Sequence, residues 1–363
     1  MSQPAPARVG QRLEEVDTPA LILELDAFEK NQRTLFDLVK GRVRVRPHAK
    51  THKCPEVGKR QVALGAVGNC CQKVSEAEAM VDGGIGDILV SNEIVGARKL
   101  ERLAALSRRA KIGVCVDNAD NVRALAATGG SLDVYIEIDV GMRRCGIPPG
   151  EPAVKLAREV LSFKNLKFAG LQAYQGRAQH FRSMEERHAA IEVAAQHVQH
   201  TKRLLKEAGI DCPIVTGAGS GTFMLEVEAG AWNEIQCGSY AFMDVDYAKN
   251  EWAAPLPRFE HALFVLATVM SRPSHAAIVD AGLKASSVDS GMPLVWKKEH
   301  LKYTHASDEH GWIEGRDLPS LGEKLLLVPG HCDPTINLYD WYVCVRGGIV
   351  EALWPITARG AVY

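Results

Sequence analysis

In the run VRVRPHAKTHK (Val43–Lys53), Lys50 follows Arg44, Arg46 and His48 at intervals of two, and Lys53 lies just beyond. Read as a strand, the segment puts Val43 and Val45 on one face and the basic groups on the other, because side chains alternate. Clustered cations depress a lysine's pKa, and an amine neutral near pH 7 can form a Schiff base. A second candidate is TGAGSGT (216–222). Its small residues let backbone N–H groups approach a phosphate, and the hydroxyls of Thr216, Ser220 and Thr222 add donors. The run GSY (238–240) has the same character. The third candidate is PGHCDPT (329–335). On an extended segment His331 and Asp333 point the same way, and imidazole plus carboxylate can ligate a divalent ion, with water or substrate completing the shell. Singly, each has an ordinary reading: a solvated basic rim, a flexible turn, a structural histidine.

Lysine and phosphate cradle together suggest pyridoxal phosphate, with its aldehyde on Lys50 and its phosphate in the glycine-rich loop. The fold must then bring residue 50 and residues 216–240 to one rim. Short β-rich runs occur at 42–50, 66–74, 87–93, 111–118, 133–141, 167–176, 213–221 and 234–242, mostly separated by helical patterns such as 95–110 and 183–209. Such alternation predicts a (β/α)8 TIM barrel, whose strands end at a common polar rim. The expected rim includes His48, Gln72, Ser91, Asn92, Glu93, Asp117, Asp139, Arg144, Tyr174 and His180, while Arg44 and Arg46, deeper in the barrel, are expected to meet carboxylates such as Glu137 or Asp139. A doubly wound sheet competes, but no G-x-G-x-x-G opens a helix after the first strand. Beyond residue 250 the texture changes to strand-like runs broken by Gly and Pro, which predicts a second, all-β domain. TPALILELD (18–26) reads as a strand outside the barrel that joins this sheet. The expected division is a barrel over 27–250, with 1–26 plus 251–363 forming the β domain.

The chain has 363 residues, 46% hydrophobic and 24% charged, with net charge −1, so nothing points to nucleic acid. No run approaches the length of a membrane span. Nine cysteines without a C-x-x-C pair suggest a reducing cytoplasm. The first ten residues read as a loose tail.

RPHAKTHK, IDVGMRRCGI (138–147), LQAYQG (171–176), TGAGSGT, GSYAFMD (238–244), SDEHG (307–311) and PGHCDPT occur in that order. From about residue 17 onward they resemble the D-threonine aldolase and D-serine dehydratase branch of fold-type III pyridoxal phosphate enzymes. The resemblance implies an alanine-racemase-type barrel with a C-terminal β domain, in a homodimer with sites near the interface. It implies Lys50 as the Schiff-base lysine, Arg144 at the phenolic oxygen and Tyr174 along the ring. Gln72, Thr216, Gly219, Ser220, Gly238, Ser239 and Tyr240 would complete the cofactor site. His331 and Asp333 would bind a divalent metal, manganese first, with magnesium or zinc as alternatives. His180 is the candidate for proton transfer, and SDEHG offers Asp308. The substrate implied is a small D-β-hydroxy amino acid. D-serine dehydratases of this branch resemble H-x-C at the metal, whereas Asp333 matches D-threonine aldolases and 3-hydroxy-D-aspartate enzymes. A D-threonine-type aldolase is therefore expected, with a D-3-hydroxyaspartate (or D-serine) dehydratase or aldolase, a racemase or a non-catalytic cofactor carrier as alternatives.

Overall fold

The computed structural model describes residues 4–252 and 256–363. Strand β1 spans Ala20–Glu24. Eight parallel strands follow: β2 (Arg44–Val45), β3 (Asn69–Cys71), β4 (Asp87–Glu93), β5 (Lys111–Val116), β6 (Leu132–Glu137), β7 (Leu166–Ala173), β8 (Ile214–Gly217) and β9 (Glu234–Ile235). Their order is β2-β9-β8-β7-β6-β5-β4-β3. A parallel bridge between His48 and Cys70 closes the ring, with Cys70 N donating to Pro47 O at 2.9 Å. This is the (β/α)8 barrel expected from the alternation.

Alternation along the strands divides the apolar residues into two layers. Cys70, Leu89, Cys115, Tyr135 and Ala169 form a small cluster of their own. Their sequence neighbours Cys71, Ile88, Val114 and Val134 belong to a larger cluster shared with the surrounding helices. Those helices are amphipathic: Leu100, Leu103, Ala104 and Leu106 are the buried residues of Ala97–Leu106. The long helix Met184–Glu207 starts at Ser183, whose hydroxyl accepts the Glu186 amide at 3.2 Å.

The C-terminal sheet comprises β10 (Leu263–Ser271), β11 (Ala277–Val279), β12 (Leu294–Val295), β13 (Leu301–Ala306), β14 (Gly311–Gly315), β15 (Lys324–Val328), β16 (Trp341–Arg346) and β17 (Ile349–Pro355), together with β1. β1 lies between β10, to which it is antiparallel, and β16, to which it is parallel. The chain therefore enters through the β sheet before it builds the barrel.

Four expectations need correction. The first ten residues are not a loose tail throughout: residues 1–3 lie outside the described residues, but Ala7 is buried and Pro6 O accepts the Asp17 amide at 2.9 Å. The first barrel strand is only Arg44–Val45; Pro47 lacks an N–H to extend the ladder, and Lys50 sits on the helical turn Ala49–His52. His331 and Asp333 are likewise not on an extended run, because Cys332–Ile336 is a helical turn capped by His331. Arg46 does not pair with Glu137 or Asp139. It is 1% exposed, with Nε 2.8 Å from Glu234 Oε1 and NH1 2.6 Å from Asp87 Oδ1. β2 neighbours β9, which carries Glu234, whereas β6 lies several strands away.

Candidate active site

A cavity at the C-terminal ends of the barrel strands is lined by Lys50, Tyr174, His180, Ser220, Ser239, His331 and Asp333 among others. Two helical turns, Ala49–His52 and Cys332–Ile336, pack on each other at its wall. They bring Lys50 Nζ to 3.9 Å from Asp333 Oδ2. Neighbouring cations were expected to depress Lys50. Burial is the largest influence and opposes its charge, but Asp333, Tyr174 and Glu76 together outweigh it and leave the lysine pKa raised. Burial opposes ionisation of Asp333 in turn, yet Lys50 and Lys53 hold its carboxyl below the usual range.

The floor beneath Lys50 is made of neutral polar groups. His48 is 6% exposed and accepts the Lys50 amide at Nδ1, 3.3 Å away. His48 Nε2 lies 3.2 Å from Ser91 Oγ and 3.0 Å from Gln72 Nε2. Burial, reinforced by Lys50, pushes the His48 pKa well down, so this imidazole stays neutral. Gln172 and Gln236 exchange hydrogen bonds at 3.2 and 2.7 Å. Gln236 also donates to Thr216 Oγ1 at 2.9 Å. Thr216 thus supports the floor without lining the cavity.

The loops after β8 and β9 form the opposite wall. Among the described residues, the amides of Gly219, Ser220, Gly238 and Ser239 make no backbone hydrogen bond. Four free donors at two adjoining loops fit a phosphate. Gln179 shapes the first loop: its Oε1 accepts the Gly221 amide at 3.0 Å and its Nε2 donates to Thr222 Oγ1 at 2.7 Å. Gly238 is required by close approach, since a Cβ there would stand 2.4 Å from Thr51 Oγ1. Tyr240 departs from expectation. The turn Ser239–Ala241 rotates its ring into the core, where its hydroxyl donates to Gln32 Oε1 at 2.6 Å, and only its amide meets the site, on Ser220 Oγ at 2.9 Å.

Arg144 reaches the cavity from the loop after β6, its guanidinium carbon 5.9 Å from the centre of the Tyr174 ring. Asp139 Oδ1 accepts the amides of Gly141 and Arg143 at 2.9 and 3.0 Å, and Asp117 Oδ2 accepts Gly146 at 3.0 Å. These carboxylates therefore fold the loop that presents Arg144. Tyr174 and Gln172 are two apart on one chain direction, and both face inward.

His180 ends the short turn Arg177–His180, with Nδ1 2.7 Å from Asp246 Oδ2. The Asp246 carboxyl is held below its usual range: burial opposes this, but hydrogen bonds from Arg182 and His180 outweigh it. His331 is oriented in the same manner, its Nδ1 2.8 Å from Asp289 Oδ2, which leaves Nε2 for a ligand. Asp333 Oδ1 is buried without a protein partner. An imidazole nitrogen beside an orphaned carboxylate oxygen fits a divalent cation. Among the described residues no group of three or more metal-type side chains occurs, so the pair would share such an ion with water or substrate. Asp308 is exposed at the bend between β13 and β14 and does not line the cavity.

Asp246, Asp289, Gln172, Gln236 and Tyr247 belong to the site or its supports but escaped the sequence reading. Gln172 alone had a signal, its alternation with Tyr174.

Residues 23–246 match the family described as "Alanine racemase, N-terminal domain", and residues 262–345 match "Putative serine dehydratase domain". The chain is 48% identical, over 98% of its length and 96% of the relative's, to a protein named D-threonine aldolase from Arthrobacter sp.. It is 46% identical, over 99% of its length and 96% of the relative's, to 3-hydroxy-D-aspartate aldolase of Paracoccus denitrificans strain Pd 1222. Among solved structures, that of D-threonine aldolase from Filomicrobium marinum superposes with a TM-score of 0.97 at 52% identity, covering 99% of this chain and 100% of the other.

Proposed function

The chain belongs to the alanine racemase-like family, and from that premise we propose that it is a D-threonine aldolase, a pyridoxal phosphate-dependent lyase that uses a divalent cation to cleave D-β-hydroxy amino acids into glycine and an aldehyde. The observation that carries this reading is the meeting of three groups in one cavity: Lys50, the free amides of the β8 and β9 loops, and the His331–Asp333 pair.

In this reading Lys50 holds the cofactor's aldehyde, the amides of Gly219, Ser220, Gly238 and Ser239 hold its phosphate, and Arg144 and Tyr174 flank its ring. His331 Nε2 and Asp333 Oδ1 hold the cation. When bound, the cofactor supplies an electron sink for the pair released as Cα–Cβ breaks, and the cation lowers the pKa of the β-hydroxyl. His180 is the base. Asp246 accepts its Nδ1–H and so leaves Nε2 free to take the hydroxyl proton. Neutral His48 keeps uncompensated positive charge away from the floor below Lys50. Tyr247 and Tyr174 narrow the mouth against water.

Among divalent ions we propose manganese, since imidazole plus carboxylate accepts it along with magnesium and zinc. The family resemblance supports a homodimer, and nine free cysteines agree with a cytoplasmic location. Among the described residues no helix is long and apolar enough to cross a membrane.

The Paracoccus relative favours a second reading, the same cleavage with D-3-hydroxyaspartate as substrate. Product identity tests the class. Holoenzyme given D-threonine and Mn2+ should release glycine and acetaldehyde. Ammonia and a 2-oxo acid, without glycine, would replace the aldolase with a dehydratase.

A further inference from the structure

Lys53 is 8% exposed and follows Lys50 by one helical turn, yet its ammonium points away from solvent. It closes the turn Ala49–His52 in the left-handed region at φ 52°, its amide donating to Ala49 O at 2.7 Å. Its carbonyl accepts the Ala358 amide at 3.0 Å, so the backbone is fixed on both sides. The ammonium donates to two backbone carbonyls, those of Lys50 and of Asp333, the latter at 2.9 Å across 280 residues of sequence. Burying an ammonium is unfavourable unless hydrogen bonds compensate, and methionine would fill the same space without that cost. The charge meets the two carbonyls directly and also lies in the field of the Asp333 carboxylate.

We propose that Lys53 is a positioning residue that clamps the turn bearing Lys50 to the turn bearing Asp333, so that filling the cation site also orders the lysine turn. The proposal rests on the reading of Lys50 and Asp333 given above. Lys50 itself reaches Asp333 at 3.9 Å, but through the amine and carboxylate that the chemistry needs. Lys53 makes the same connection through carbonyls that the chemistry leaves free. Charge-assisted bonds to both are stiffer than packing alone.

The test uses cofactor-loaded protein and Mn2+ as the probe, with free Mn2+ followed by electron paramagnetic resonance. Lys53→Met should weaken Mn2+ binding about tenfold while the cofactor absorbance persists, in the range seen for residues that orient metal ligands. Lys53→Arg, which keeps charge and donors, should lose less. In the unaltered protein, Mn2+ should slow hydrogen exchange at residues 49–53 as well as 332–336, a readout that stands even if Lys53→Met does not fold. Wild-type Mn2+ affinity in Lys53→Met, equal losses in both variants, or protection confined to 332–336 would overturn the clamp. Unaltered protein that binds neither cofactor nor Mn2+ would overturn the underlying site assignment, and the clamp with it.

Discussion

His180 Nδ1 lies 2.7 Å from Asp246 Oδ2, and Arg182 holds the other oxygen of the same carboxylate. Asp246 N in turn donates to Gly330 O at 3.2 Å, beside the cation pair. One residue therefore sets both the tautomer of the base and its place relative to His331. Asp246→Asn should lower kcat for D-threonine about 100-fold while cofactor absorbance and Mn2+ affinity remain. An unchanged kcat would remove His180 from proton transfer or Asp246 from its support.

Lys50 is the sole lysine lining the cavity among the described residues. Borohydride reduction of the holoenzyme should therefore leave the cofactor's mass on the peptide containing Lys50 and nowhere else. Lys50→Ala should lower aldolase activity more than about 1,000-fold, as expected for loss of a covalent anchor. Label on Lys53 instead would reverse the assignment of the two lysines.

Arg46 and Glu234 form a pair with side chains 1% and 0% exposed, bonded at 2.8 Å within the barrel. Breaking such a pair strands a charge. Glu234→Leu should destabilise the fold by about 3–5 kcal/mol, read as a lower urea midpoint. A shift under about 1 kcal/mol would mean that Asp87 alone satisfies Arg46.

The eight barrel strands were legible because each pairs an apolar run with a polar end, and that pattern follows from burial alone. Lys50, His331 and Asp333 were legible as types in context, but their local geometry was not. Lys50 and Asp333 lie on single helical turns of four and five residues, and His331 immediately precedes the second; such turns are too short to leave a periodic signal. Tyr240 shows the same limit, since one short turn decides between rim and core. Asp246 and Asp289 sit 66 and 42 residues from the histidines they orient. An isolated acidic residue carries no spacing that announces such a partner. Arg46 was correctly expected to need a carboxylate, but which one depends on strand order, and alternation says nothing about that.

Glu226 is 1% exposed, and burial raises its pKa from 4.5 to about 7. Between those values the folded protein binds a proton that the unfolded chain has lost. The stabilisation from this group is therefore complete below about pH 4.5 and disappears as pH rises through about 7. Glu226→Gln should raise stability at pH 8 by up to about 3 kcal/mol, with little change at pH 5. Equal effects at both pH values, followed by thermal melting, would contradict a neutral buried carboxyl.

If Lys50 and the His331–Asp333 pair act on one substrate in one cavity, glycine release must depend on both. The most direct measurement is glycine formed from D-threonine by cofactor-loaded protein, before chelation, after chelation and after Mn2+ is restored, in the unaltered chain and in Asp333→Ala. The predicted result is glycine equal to acetaldehyde, lost on chelation and regained with Mn2+ only when Asp333 is present. Glycine release indifferent to both chelation and the substitution would contradict it.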